Sequence, residues 1–153
     1  MKPGLPRPLV SSTGCLEAGR SGQPLIYNLA YYSTPRDGLN DEDIAAILKV
    51  ARKYNKKNDI SGILIYENNL FLQILEGEKD RVKDLFDRIR KDPRHHNIQP
   101  YVQSLASDRI FRDWSMAYKN LNTLGLHWVD DLLKLGDKKH QYFESLKKIR
   151  EQL

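Results

Sequence analysis

Ile60-Ser61-Gly62-Ile63-Leu64-Ile65-Tyr66, Glu67-Asn68-Asn69, Leu70-Phe71-Leu72-Gln73-Ile74-Leu75 is the stretch from which the fold can be built. Two apolar runs rich in β-branched and aromatic residues flank a short polar break, which reads as a hairpin. The second run is apolar at nearly every position, as in a strand buried on both faces. Gln73 is its exception, and the run ends ahead of an expected turn at Glu76-Gly77. A buried amide left without partners costs about 1–3 kcal/mol. It also carries donor and acceptor on one rotatable group, so turning it over reverses the pattern it presents. That makes Gln73 a candidate switch, against the plainer reading of a satisfied core amide.

Each side of the hairpin carries one helix and then strands. Upstream, Asn40 and Asp41 can cap a helix whose apolar residues Ile44, Ile47, Leu48 and Ala51 recur at helical spacing. Downstream, Val82, Leu85, Phe86 and Ile89 mark a second amphipathic helix that ends before Pro93. Leu25–Tyr32 reads as a first strand, Ser33–Asn40 as a turn-rich loop with Pro35 and Gly38, and Ile98–Ala106 and about Asp113–Tyr118 as later strands. The order β-α-β-β-α-β-β contains a split β-α-β pair. It specifies an α+β, ferredoxin-like sheet with both helices on one face. The opposite face then needs cover. Two C-terminal segments can supply it: Val129, Leu132, Leu133 and Leu135, then Tyr142, Leu146, Ile149 and Leu153. The expected organisation is a disordered lead-in over 1–23, a core domain over 24–120 and a helical cap or output segment over 121–153.

The 153 residues suit one domain, and 40% hydrophobic with 29% charged residues is ordinary for a globular chain. No apolar run approaches the ~20 residues of a membrane helix. The lead-in is rich in Gly, Pro and Ser and has no apolar core of a secretory signal. A single cysteine, Cys15, excludes an internal disulfide framework and suits a reducing, cytoplasmic setting. No metal site is expected, since His95 and His96 are adjacent and cannot share a helix face. The net charge of +5 comes with acids and bases interleaved through 76–94 and 130–151. That pattern makes a solvated surface and disfavours nucleic acid as a partner.

Strand alternation gives the candidate site its geometry. Tyr27, Leu29 and Tyr31 share a face; so do Phe71, Gln73 and Leu75; so, on the expected last strand, do Trp114 and Met116. If these faces all look toward the helices, a phenol, an amide, an indole and a thioether converge, with Asn55 near the end of the first helix. Taken singly, each is more often core packing.

Several motifs now occur together and in order: Tyr31-x-Ser33, Asn55 with Ile60-Ser61-Gly62, Phe71-Leu72-Gln73-Ile74-Leu75-Glu76-Gly77, Asp92-Pro93-Arg94-His95-His96, and Trp114-Ser115-Met116. From about Leu25 to Tyr118 the chain resembles the BLUF domain, a blue-light sensor using FAD. The resemblance implies a non-covalent flavin between the two helices, with FAD expected and FMN or riboflavin as alternatives. It implies Tyr31 as the photochemical electron and proton donor, and Gln73 as the switch between Tyr31 and the flavin. Asn55 would hold the pyrimidine edge, and Arg88, Asp92, Arg94 and His95 would face the flavin and its ribityl side. Trp114 and Met116 would lie beside Gln73 and relay its state. Ala51 stands where many relatives carry serine, and Tyr54 where they often carry His or Asn.

About 35 residues follow Tyr118, too few for a cyclase or phosphodiesterase domain. A non-enzymatic photosensor is therefore expected, signalling to a separate protein or through a homo-oligomer. A flavin-dependent redox enzyme and a flavin-free, ferredoxin-like interaction module are the alternatives. The first lacks a dinucleotide fingerprint, and a yellow preparation would exclude the second.

Overall fold

The computed structural model describes residues 25–122, 128–135 and 138–153. The lead-in expected over 1–23 lies outside them. Five strands form one sheet: β1 (Ile26–Pro35), β2 (Ser61–Glu67), β3 (Leu70–Gly77), β4 (His95–Ala106) and β5 (Ala117–Asn120), in spatial order β4-β1-β3-β2-β5. The first four pair antiparallel, and β5 runs parallel to β2. Helices α1 (Asp41–Lys57) and α2 (Lys79–Arg90) cover one face, and α3 (Trp128–Lys134) and α4 (Lys139–Arg150) the other. This is the ferredoxin-like α+β arrangement that the order of motifs specifies.

Local chemistry explains most boundaries. Asn68 and Asn69 take positive φ values of 50° and 58°, the conformation of a two-residue hairpin turn that asparagine tolerates. Asn40 caps α1 in a reciprocal box with Asp43, and the Glu78 carboxylate caps α2 through the Asp80 and Arg81 N–H groups. Gly62 is required by close approach, because a Cβ there would lie 1.9 Å from the Ile74 carbonyl oxygen.

Three expectations need correction. Strand β1 continues through Ser33 to Pro35 because His95 and His96 of β4 pair with it, a long-range partner that local sequence does not announce. Glu76 and Gly77 are strand residues, opposite Asn28 and Tyr27, so the chain turns only at Glu78. The last strand begins at Ala117, so Trp114 and Met116 precede it. They also part company. Met116 is buried among residues facing α1 and α2, whereas Trp114 packs against the core under α3 and α4.

The two faces of the sheet carry separate cores. Tyr27, Leu29, Tyr31, Leu64, Phe71 and Leu75 meet Ile44, Leu48, Val82, Leu85 and Phe86. Ala30, Ile63, Ile65, Leu72 and Ile74 meet Val129, Leu132, Tyr142, Leu146 and Ile149. Strand β4 reaches both cores through two irregularities in its pairing with β1. One lets Tyr101 and Val102, consecutive residues, face the same core. The other falls at Asn97, whose φ is 53°, and turns His95 toward α2 along with Ile98.

Candidate functional site

Between α1, α2 and the sheet lies a cavity of about 250 Å³. Helix α1 contributes Ile47, Val50, Ala51, Tyr54 and Asn55, and α2 contributes Leu85, Arg88 and Ile89. The sheet contributes Tyr31, Leu64, Phe71, Gln73 and His95, with Asp92 and Arg94 from the turn before β4. The walls are apolar and a few polar groups converge, the usual composition of a small-molecule site.

Tyr31 and Gln73 form the floor. They are directly opposite each other in the β1·β3 register, so their side chains leave the sheet side by side. Both are buried, and the Tyr31 hydroxyl donates to Gln73 Oε1. Burial, with the nearby Asp92 charge, pushes the Tyr31 pKa up, so the phenol keeps its proton and acts as donor. A donating phenol requires the amide oxygen to face it. Gln73 Nε2 then points the other way and donates to Met116 Sδ at 3.5 Å. Thioether sulfur is a weak acceptor, so the amide is held firmly at one end and loosely at the other.

Asn55 is fully buried on α1, and its Nδ2 donates to the Ser115 carbonyl at 2.7 Å. Its Oδ1 is buried with no hydrogen-bond partner. Such an orphan costs about 1–3 kcal/mol unless a donor reaches it. An aromatic ligand presenting an N–H beside a flat apolar body would meet both the acceptor and the walls, which is the donor pattern of a flavin ring. The residues present therefore fit that group.

The rim is charged. Arg94 grips Asp92 with Nε at 2.9 Å and Nη2 at 2.6 Å. Arg94 holds the Asp92 carboxyl below the usual carboxylate range. Arg88 lies over the Tyr54 ring, 5.0 Å from its centroid. His95 Nε2 donates to the Ile89 carbonyl at 2.7 Å, so in the neutral ring Nδ1 accepts from Ser33 Oγ at 2.8 Å. The same ring sits edge-on to Tyr31, with centroids 6.2 Å apart.

Of the expected residues, Tyr31, Asn55, Gln73, Arg88, Asp92, Arg94 and His95 line one cavity, and Met116 touches Gln73. Trp114 is not beside Gln73. The segment before β5 is held irregularly: Gly62 N–H donates to the Trp114 carbonyl, and Arg52 Nε to the Met116 carbonyl at 2.9 Å. Successive side chains there do not alternate as in a strand. Sequence reasoning missed Arg52, although its place three residues before Asn55 puts both on one helix face. It also missed Val50, an apolar residue off the buried stripe of α1 and 67% exposed at the cavity mouth.

With this geometry in place, comparison with known proteins is specific. The family model described as BLUF, sensors of blue-light using FAD, matches residues 26–117. The photoactivated adenylate cyclase subunit beta of Euglena gracilis is 33% identical over 97 residues, 63% of this chain and 11% of that protein. The blue light- and temperature-regulated antirepressor BluF of Escherichia coli (strain K12) is 34% identical over 110 residues, 72% of this chain and 27% of that protein. Much of each of these curated relatives thus lies beyond the length this chain spans. The dark-state structure of BlrB, a BLUF protein, matches with a TM-score of 0.69 at 30% identity, covering 84% of this chain and 98% of that one. Among the described residues, no helix is long and apolar enough to cross a membrane.

Proposed function

Because this chain belongs to the BLUF family of blue-light flavin sensors, we propose that it is a blue-light receptor switched by the Tyr31–Gln73 pair. The observation that carries the reading is the buried hydrogen bond from Tyr31 to Gln73 on the cavity floor, with Met116 as the weak partner at the other end of the amide. The bound flavin supplies absorption of blue light and a redox partner for the phenol.

The chain's own groups do the rest. Tyr31, protonated and shielded from water, is the phenol from which an electron and a proton can leave together and to which they return. While its hydroxyl is compromised as a donor, Gln73 Oε1 loses its strong partner. The amide is then free to turn and present Nε2 in its place. Each hydrogen bond exchanged is worth about 1 kcal/mol, enough to bias an element that has two arrangements. Asn55 Nδ2 holds the Ser115 backbone, and Oδ1 would hold the ring's polar edge at the same time. Arg88, the Asp92–Arg94 pair and His95 would hold the polar tail of the ligand. FAD is the flavin we assign.

We also propose that the chain has no catalytic centre of its own. Its signal passes, in the cytoplasm, to a separate protein or to a second copy through the segment over 121–153, and the unit that binds flavin is 24–120. Trp114 serves the output side, packed where α3 and α4 cover the sheet.

Blue light should shift the flavin absorption band to the red, reversibly in darkness. Gln73→Leu should keep the flavin bound and lose the shift. An unaltered photocycle in that variant would overturn the switch assignment. Turnover with NADH or NADPH would favour a redox enzyme instead. Chromatography of the flavin released by denaturation identifies the cofactor.

A further inference from the structure

On the sheet face away from the cavity, three residues beyond Gln73 along β3, Glu76 is 1% exposed. A buried carboxylate is costly unless its oxygens are well supplied with donors. Here they are. Oε1 accepts from Ile110 N at 2.7 Å, and Oε2 from Phe111 N at 3.0 Å and Ser61 Oγ at 3.1 Å. Arg109 closes the group, with Nη1 on Ser61 Oγ at 3.0 Å and Nη2 on the Asp59 carbonyl at 2.7 Å.

What Glu76 holds is the start of the segment that ends at the cavity. From Phe111 the chain turns through the Trp114 N–H to Phe111 carbonyl bond, and Gly62 fixes the Trp114 carbonyl. The next two carbonyls are held by Asn55 and Arg52, and the Met116 sulfur faces Gln73. Glu76 also adjoins α4. Its cross-strand neighbour Asn28 accepts from the Tyr142 hydroxyl at 3.3 Å, and Arg150 Nη1 donates to the Ile110 carbonyl at 3.4 Å.

We propose that Glu76 is a positioning residue for the light-sensing pair: it anchors Ile110 and Phe111 and thereby sets where Met116 meets Gln73 and where Ser115 meets Asn55. This rests on the photoreceptor reading for its purpose, but its geometry can be tested in darkness. A movement of Gln73 would pull on the same anchor from the other end and reach α4 without passing through the sheet.

The test uses the full flavin-loaded chain and two variants. Glu76→Gln keeps the size but leaves one acceptor oxygen for two backbone donors. Ser61→Ala removes a hydroxyl from the same carboxylate and keeps both backbone bonds. In darkness, Glu76→Gln should move the Gln73 and Asn55 side-chain amide resonances and speed hydrogen exchange at Ile110, Phe111 and Gly62 about tenfold. Ser61→Ala should leave these within about twofold. In the light, Glu76→Gln should retain the red shift with a dark recovery altered several-fold. Unmoved resonances in Glu76→Gln, or equal movement in Ser61→Ala, would overturn the proposal. Should Glu76→Gln not fold, Glu76→Asp, shorter by one methylene, must move the same resonances. The wild-type protein must also show a light-dependent change in exchange at Ile110 and Phe111, and its absence sinks the proposed transmission. No red shift in the wild type would overturn the photoreceptor reading, while the dark resonances still decide the positioning role.

Discussion

The two faces of this sheet are made by alternate residues of the same strands, yet they are finished differently. On the face under α3 and α4, Glu76 has its donors and Asn28 has Tyr142. On the face under α1 and α2, Asn55 Oδ1 has no partner and Gln73 Nε2 has only a sulfur. Bonds left unmade inside a protein cost stability and are tolerated where a ligand completes them. What sets the second face apart is that its unmade bonds, at Asn55 and Gln73, belong to residues lining a cavity.

Truncating the face under α3 and α4 should produce the largest loss of stability. Leu146→Ala removes a fully buried side chain of α4 and should cost about 2–5 kcal/mol in urea unfolding. Its flavin affinity in the folded protein should match the wild type. A loss of affinity as large as the loss of stability would mean the faces are not independent.

Asn55→Ala sharpens the contrast from the other side. Flavin affinity should fall about tenfold, which corresponds to about 1.4 kcal/mol, as measured by titration. The flavin-free protein should lose only about 1 kcal/mol, because one bond to Ser115 goes while the orphaned oxygen goes too.

The rim gives a smaller, pH-dependent effect. The Asp92 pKa is lowered by Arg94, so the folded state favours the ionised carboxylate. That contribution is fully present above the ordinary aspartate pKa of about 4 and is lost as pH falls through the lower folded value. The pair is partly exposed, so the term should stay below about 1 kcal/mol. Asp92→Asn should flatten this part of the acid-unfolding curve. An unchanged curve would show that the pair carries no stability.

Smallest of all is Tyr32→Phe. Tyr32 packs on the side under α3 and α4, away from the cavity, so the change should alter stability by no more than about 0.5 kcal/mol and leave the red shift intact. If this variant blocks the photocycle and Tyr31→Phe does not, the assignment of faces is reversed.

Much of this arrangement is legible in the chain because it depends on short-range signals. The apolar runs give the strands, Asn68-Asn69 the turn, Asn40 the helix start, and period-two alternation puts Tyr31 and Gln73 on one face. What escaped depends on partners distant in sequence. Strand β5 exists because Ile63–Tyr66 lie beside it, and its four residues have no pattern of their own. The segment before it carries Trp114 and Met116 at strand-like spacing, but Gly62, Asn55 and Arg52 hold its carbonyls and break the alternation. Glu76 was read as part of a turn, since a charged residue before a glycine usually is. Its pairing with Asn28 and its burial place it in the strand instead.

The irregularities of β4 have a consequence for handling the protein at high concentration. Among the described residues this strand is an edge of the sheet, and a long, straight, apolar edge invites other chains to add strands to it. Two breaks in its register and a proline at position 100 leave no long uninterrupted run of donors and acceptors at the regular spacing an incoming strand would need. The residues that turn His95 and Tyr101 toward their cores therefore also guard the molecule against sheet-to-sheet aggregation. Replacing Pro100 or straightening Asn97 should be seen first as a fall in solubility.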